Sequence, residues 1–141
     1  MSEKLVFRFN VEGSDFTSAG QASVQVKRNL RQLGFDNEII RRVSIAMYEG
    51  EINMVIHAGG GRAIVDIFPE KIKIVLQDEG PGIPDIELAM KEGYSTATDN
   101  IRDLGFGAGM GLPNMKKYTD EFLIESEVGV GTTVTMVVNF I

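Results

Sequence analysis

Glu49, Asn53 and His57 recur at intervals of four in the segment "YEGEINMVIHA". On a helix that spacing lines one face. That face lies at the edge of the buried stripe, where a pocket could open. A solvated helix flank has the same composition, so the spacing alone leaves both readings open. His57 is the only histidine, and a lone histidine at a helix end is more often a surface or capping residue than a ligand.

Three other stretches could carry chemistry. In "DEGPGIPD" (78–85), Asp78 ends an apolar run and opens a Gly-Pro loop. A carboxylate half buried at a strand end needs a donor, such as the exocyclic amine of a base. Gly80 and Gly82 would let backbone pass close to a flat ligand, although Asp, Gly and Pro also make ordinary turns. "GFGAGMGLPN" (105–114) has glycine at 105, 107, 109 and 111. It is no Walker loop, since no Gly-Lys-Ser/Thr follows. It is no dinucleotide fingerprint, since a polar loop precedes it where a strand is required. It leads into a helix, with Pro113 near the start, where free N–H groups suit an anion. In "GVGTTV" (129–134), Thr132 begins a strand, which is unremarkable alone.

The elements that would position these residues are legible from periodicity. "KLVFRFNV" (4–11) alternates, with Leu5, Phe7 and Phe9 on one strand face. Ala22, Val26, Leu30 and Leu33 have helical spacing within 16–33, and Gly34 stops that helix. A second helix runs from Asn37 to Ala58. Asp36 is its N-cap, "GGG" (59–61) its end, and Ile40, Val43, Met47, Gly50 and Met54 its apolar stripe. Strands over 62–68 and 71–78 are joined by a tight "PE" turn. A short helix is expected at 85–91, a long loop at 92–110 and a helix from Gly111 to Tyr118. Strands at 121–126 and 132–140 close the chain, with "EVGVG" between them. The order predicts an α+β fold: a two-layer sandwich, mostly antiparallel sheet with helices on one face.

Composition narrows the function. The 141 residues suit one domain. A net charge of −6 argues against nucleic acid as a partner but not against a small anion held by backbone N–H groups and a metal. There is no cysteine, so disulfides and thiolate metal sites are excluded. No apolar run approaches the ~20 residues of a membrane span. No secretory leader is visible, and a cytoplasmic protein without membrane contact is expected.

Taken together, the four stretches resemble the GHKL ATPase superfamily. "EGEIN" (49–53) matches its N box, "DEGPGIPD" and "GAGMGL" its two glycine boxes, and "GTT" (131–133) its threonine motif. Within it, the chain resembles the bacterial serine/threonine kinases that regulate sigma factors. "AGGG" (58–61), "GYST" (93–96) and "GLPNMKKYTDEFLIES" (111–126) look closest to the switch-kinase branch. The resemblance implies a Bergerat-type fold over residues 1–141, ATP and Mg²⁺ as cofactors, and a STAS-domain antagonist or a sigma factor as partner. A homodimer is left open, since the switch-kinase branch need not dimerise.

Residue by residue, the resemblance makes Glu49 the general base and Asn53 the Mg²⁺ ligand. Asp78 would take the adenine amine, beside Gly80, Gly82 and Thr132. Ser95, Thr96, Gly107, Gly109, Gly111 and Leu112 would line the phosphates beneath a lid at 92–110. Some anti-sigma relatives are expected to place arginine about where Gly107 stands, so Arg102 or Lys116 would have to substitute at the terminal phosphate. The alternative activity is an ATP-gated binding module with little phosphoryl transfer. Gly109→Ala is expected to weaken ATP binding, measured by calorimetry. An unchanged affinity would remove Gly109 from the phosphate contacts.

Overall fold

Strand alternation and helical stripes sort into two layers in the computed structural model, which describes residues 5–12, 19–90 and 111–140. The elements are β1 (Leu5–Glu12), α1 (Gln21–Gln32), α2 (Asn37–Ala58), β2 (Gly60–Ile67), β3 (Lys71–Asp78), α3 (Ile86–Ala89), α4 (Gly111–Lys117), β4 (Glu121–Glu127) and β5 (Gly131–Asn139). The five strands form one sheet in the order β1-β2-β3-β5-β4, and every neighbouring pair is antiparallel. The expected mostly antiparallel sheet is therefore antiparallel throughout.

Period-two alternation puts one apolar row after another on the inner face. The register aligns Phe7, Val65, Ile74, Met136 and Phe122 across all five strands. Val65, Ile74 and Met136 are buried, and Phe7 and Phe122 pack at the margins of the core. The next row toward the end of β3 is Phe9, Ala63, Leu76, Val134 and Ile124. The row beyond it brings Gly61, Asp78, Thr132 and Ser126 into line. The inner face thus turns from apolar to polar at one end of the sheet.

α2 lies on this face. Asp36 caps it by accepting from the Glu38 N–H at 3.1 Å, and Gly59 ends it with φ of 71°. The expected stripe of Ile40, Val43, Met47, Gly50 and Met54 is buried throughout. Gly50 is required there. A Cβ at this position would overlap Leu76 Cδ1 and stand 3.1 Å from Met115 Cε. No helix of the described residues is long and apolar enough to cross a membrane.

Several boundaries differ from the sequence reading. The first helix was expected from residue 16, but among the described residues it starts at Gln21, after a turn at 19–20. Gly60 and Gly61, expected to end the second helix, begin β2 instead, because they pair with Glu12 and Val11. β2 also stops at Ile67, where 68 was expected.

α1 has no cap of its own. Its N-cap is Gly20, with no side chain to offer. The orphan N–H groups are taken by Glu51 of α2, which is 2% exposed. Its carboxylate accepts from Gly20 N at 2.9 Å, Ala22 N at 3.2 Å, Ser23 N at 2.9 Å and Ser23 Oγ at 2.7 Å. A buried carboxylate with four donors at the positive end of a helix is satisfied without a cation. Glu51→Ala strands those donors and is expected to lower stability by about 3 kcal/mol in urea unfolding. Glu38→Ala, which breaks only the exposed pair with Arg41, is expected to leave stability nearly unchanged, because water screens that pair. Equal effects would show that the Glu51 bonds carry no special weight.

Candidate functional site

Glu49 and Asn53 sit one turn apart on α2, both half buried. α4 lies across them. Gly111, at its first turn, rests on the Asn53 amide so closely that a Cβ would stand 3.0 Å from both Oδ1 and Nδ2. Asn114, one turn on, points its Nδ2 at Glu49 Oε1 across a long 3.5 Å. Met115 is buried against Gly50, and Leu112 packs at the edge of the core. Glu49 and Asn53 thus share one surface with Gly111 and Asn114, although Asn53 and Gly111 are 58 residues apart in the chain. Asn53 and Glu49 offer it oxygen donors of the kind a hard divalent cation takes. Among the described residues no three His, Cys, Asp or Glu side chains gather into a metal cluster.

His57 continues the same stripe but is exposed in the last turn of α2. The protein around its ring still displaces enough water to lower its pKa below the ordinary histidine value. Lys116 is exposed in the last turn of α4, five residues beyond the glycine that meets Asn53.

The second half of the site is the polar row at the sheet end. Asp78 and Thr132 are cross-strand partners, and Ser126 lies opposite Thr132 on the other side. Asp78 Oδ1 accepts from Gly80 N at 2.9 Å and Thr132 N at 3.2 Å. Its Oδ2 accepts nothing among the described residues. The Thr132 and Ser126 hydroxyls are 2.8 Å apart, and Ser126 Oγ accepts from Ile83 N at 2.7 Å. The loop after Asp78 is thereby fixed at both ends. Gly80 presses on Ala58 at the end of α2, and Gly82, at φ of 81°, lies on the Glu127 carbonyl. These two glycines have packing reasons of their own, besides any approach to a ligand.

A depression of about 310 Å³ follows residues 58–62 and 77–79. It shares Asp78 with the site but neither Glu49 nor Asn53, so it is a feature of the sheet end only.

The structure therefore brings Glu49, Asn53 and Gly111 together along α2, with Leu112 turned to the edge of the core, and Asp78, Gly80, Gly82 and Thr132 together at the sheet end. Ser95, Thr96, Gly107 and Gly109, with Arg102, lie outside the described residues. Sequence reasoning missed Asn114 and Ser126. Ser126 was within reach: a hairpin around the "EVGVG" turn places it opposite Thr132. Asn114 had no signal beyond lying one turn after Gly111.

Residues 14–138 match the histidine kinase-like ATPase domain family. Serine/threonine-protein kinase RsbT of Bacillus subtilis strain 168 is 36% identical over 118 residues, which cover 80% of this chain and 83% of that protein. An anti-sigma F factor of Clostridium novyi strain NT is 35% identical over 121 residues, 82% of this chain and 81% of its own length. The crystal structure of the RsbU and RsbW domains of Rv1364c from Mycobacterium tuberculosis superimposes with a TM-score of 0.60 over 96% of this chain, at 16% identity. This chain spans 32% of that structure's chain, and the likeness there is one of fold. By the family match and by relatives above 30% identity across most of both chains, the protein belongs to the histidine kinase-like ATPase domain family.

Proposed function

We propose that the chain, as one ATPase domain over residues 1–141, is an ATP-binding regulatory kinase of the anti-sigma factor type. Its substrate is a serine on a small STAS-domain antagonist in the cytoplasm. The observation that carries this reading is the half-buried Glu49 and Asn53 pair held beneath Gly111 and Asn114. The kinase and anti-sigma names of the relatives support it.

The residues present fit a magnesium nucleotide. Asp78 Oδ2 would accept from the adenine amino group, while the Gly80 and Thr132 N–H groups hold the other carboxylate oxygen in place. Thr132 and Ser126 would support that end, with Gly80 and Gly82 shaping the loop beside the ring. Asn53 would hold Mg²⁺ through Oδ1, the remaining ligands being phosphate and water oxygens. The ion, when bound, would neutralise charge on the transferred phosphoryl group. Gly107, Gly109, Gly111 and Leu112 would present backbone to the phosphates, beside Ser95 and Thr96. Glu49 would take the serine proton as that oxygen bonds to the γ-phosphorus and the bond to ADP breaks. Phosphoryl transfer rests chiefly on such positioning and charge stabilisation, so few groups suffice.

A second reading is an ATP-gated module that captures a sigma factor or another partner with little transfer. Gly107 favours it, because an arginine expected near the terminal phosphate in some anti-sigma relatives is absent there.

The two readings separate when the protein is mixed with a purified STAS-domain partner and labelled ATP. The kinase reading expects acid-stable label on a partner serine. It also expects Glu49→Gln to reduce the transfer at least ~10²-fold while ATP affinity stays within about twofold. Label that is independent of Glu49 would overturn the base assignment. No label from the wild type, with partner capture that needs ATP and survives Glu49→Ala, would establish the binding module instead.

A further inference from the structure

We infer that Arg42 is a positioning residue for the nucleotide site, acting through α4 without touching the ligand. Arg42 stands on α2, 11 residues before Asn53, which is about 16 Å along the helix. Its Nε donates to the Tyr118 carbonyl at 3.1 Å, and its Nη2 lies 3.0 Å from Asp120 Oδ2. The arginine side chain is 22% exposed. Asp120 is itself anchored to β5, since its Oδ2 accepts from Asn139 N at 2.7 Å and its own N–H donates to the Val137 carbonyl at 2.8 Å. Arg42 thus joins α2 to the turn where α4 ends and β4 begins.

α4 needs such a join. Its seven residues are too few to hold a helix unaided. Its middle is seated by Met115 against Gly50. That apolar contact fixes depth and leaves the angle free. The angle is set at the ends: Arg42 on the Tyr118 carbonyl at one, Gly111 on Asn53 and Asn114 toward Glu49 at the other. Thr119 closes the last turn locally, its hydroxyl donating to the Met115 carbonyl at 2.8 Å, but ties nothing to α2. Without Arg42, only the exposed stacking of Arg41 on the Tyr118 ring, 5.3 Å from its centroid, is left at that end among the described residues, so α4 pivots about Met115 and the turn over Asn53 and Glu49 moves. The adenine end is unaffected, because Asp78, Thr132 and Ser126 are bonded to one another and to the 80–83 loop.

This inference rests on the nucleotide reading of the site, and the test separates the two. Purified wild type, Arg42→Gln and Arg42→Lys are titrated with MgATP and with adenosine, followed by NMR, with thermal unfolding recorded for each. ATP affinity is expected to fall about tenfold in Arg42→Gln, the weight of one charge-assisted hydrogen bond. Adenosine affinity should stay within about twofold, and Arg42→Lys should lie between Gln and wild type. General loosening of the fold would weaken both ligands alike. Asp120→Asn, which leaves the bond to the Tyr118 carbonyl, replaces Arg42→Gln if that variant fails to fold and should show the same selective loss at smaller size. Unchanged ATP affinity in a folded variant, or equal losses for both ligands, would overturn the role of Arg42 alone. A wild type that binds neither ligand would overturn the nucleotide reading and this inference with it.

Discussion

Three consecutive residues of α2 face three different parts of the molecule. Glu49 meets α4, Gly50 admits Leu76 of β3 together with Met115, and Glu51 is buried in the first turn of α1. A helix turns by about 100° per residue, so neighbours in sequence are divergent in space. The missing Cβ at Gly50 is the constraint on which the rest depends. It lets the helix sink onto the sheet until Leu76 and Met115 share one contact with it. A side chain there would lift α2 from β3 and α4 at once, and the surfaces on either flank would lose their partners.

The site has two halves with separate supports. One half belongs to helices: Glu49 and Asn53 on α2, overlain by α4. The other belongs to the sheet, where the last polar row of β3, β5 and β4 sets Asp78 beside Thr132 and Ser126. The halves meet where Gly80 presses on Ala58 at the end of α2. A nucleotide is itself such a composite, a flat base at one end and a charged chain at the other. In the proposed reading the sheet end takes the base and the helical half takes the phosphates.

Charge is distributed by the same logic. Glu51 is buried without a cation because four donors of α1 converge on it. Asp78 is held by backbone N–H groups on one oxygen only. The first carboxylate is spent on the fold, and the second retains an oxygen with no partner among the described residues. Both side chains end in a carboxylate, and the number of donors around each distinguishes structural from available.

Periodicity alone determined much of this protein. Alternation in "KIKIVLQD" marked β3, the stripe from Ile40 to Met54 marked the buried side of α2, and Asp36 marked its start. These signals are local, since a side chain's direction on a strand or helix follows from its number along the element. The four boxes and their order pointed to the family, and Asp78 and Thr132 fell beside each other as expected. Nothing in the sequence said what would satisfy the buried Glu51 carboxylate. Its donors are 28 to 31 residues away. Gly60 and Gly61 looked like the end of a helix and proved to be strand, because pairing with β1 outweighs the weak strand preference of glycine. The clamp of Arg42 on Tyr118 and Asp120, and the seat of Gly111 on Asn53, likewise belong to tertiary structure alone. Contacts across 58 or more residues are set by how the layers close, and no local pattern records that.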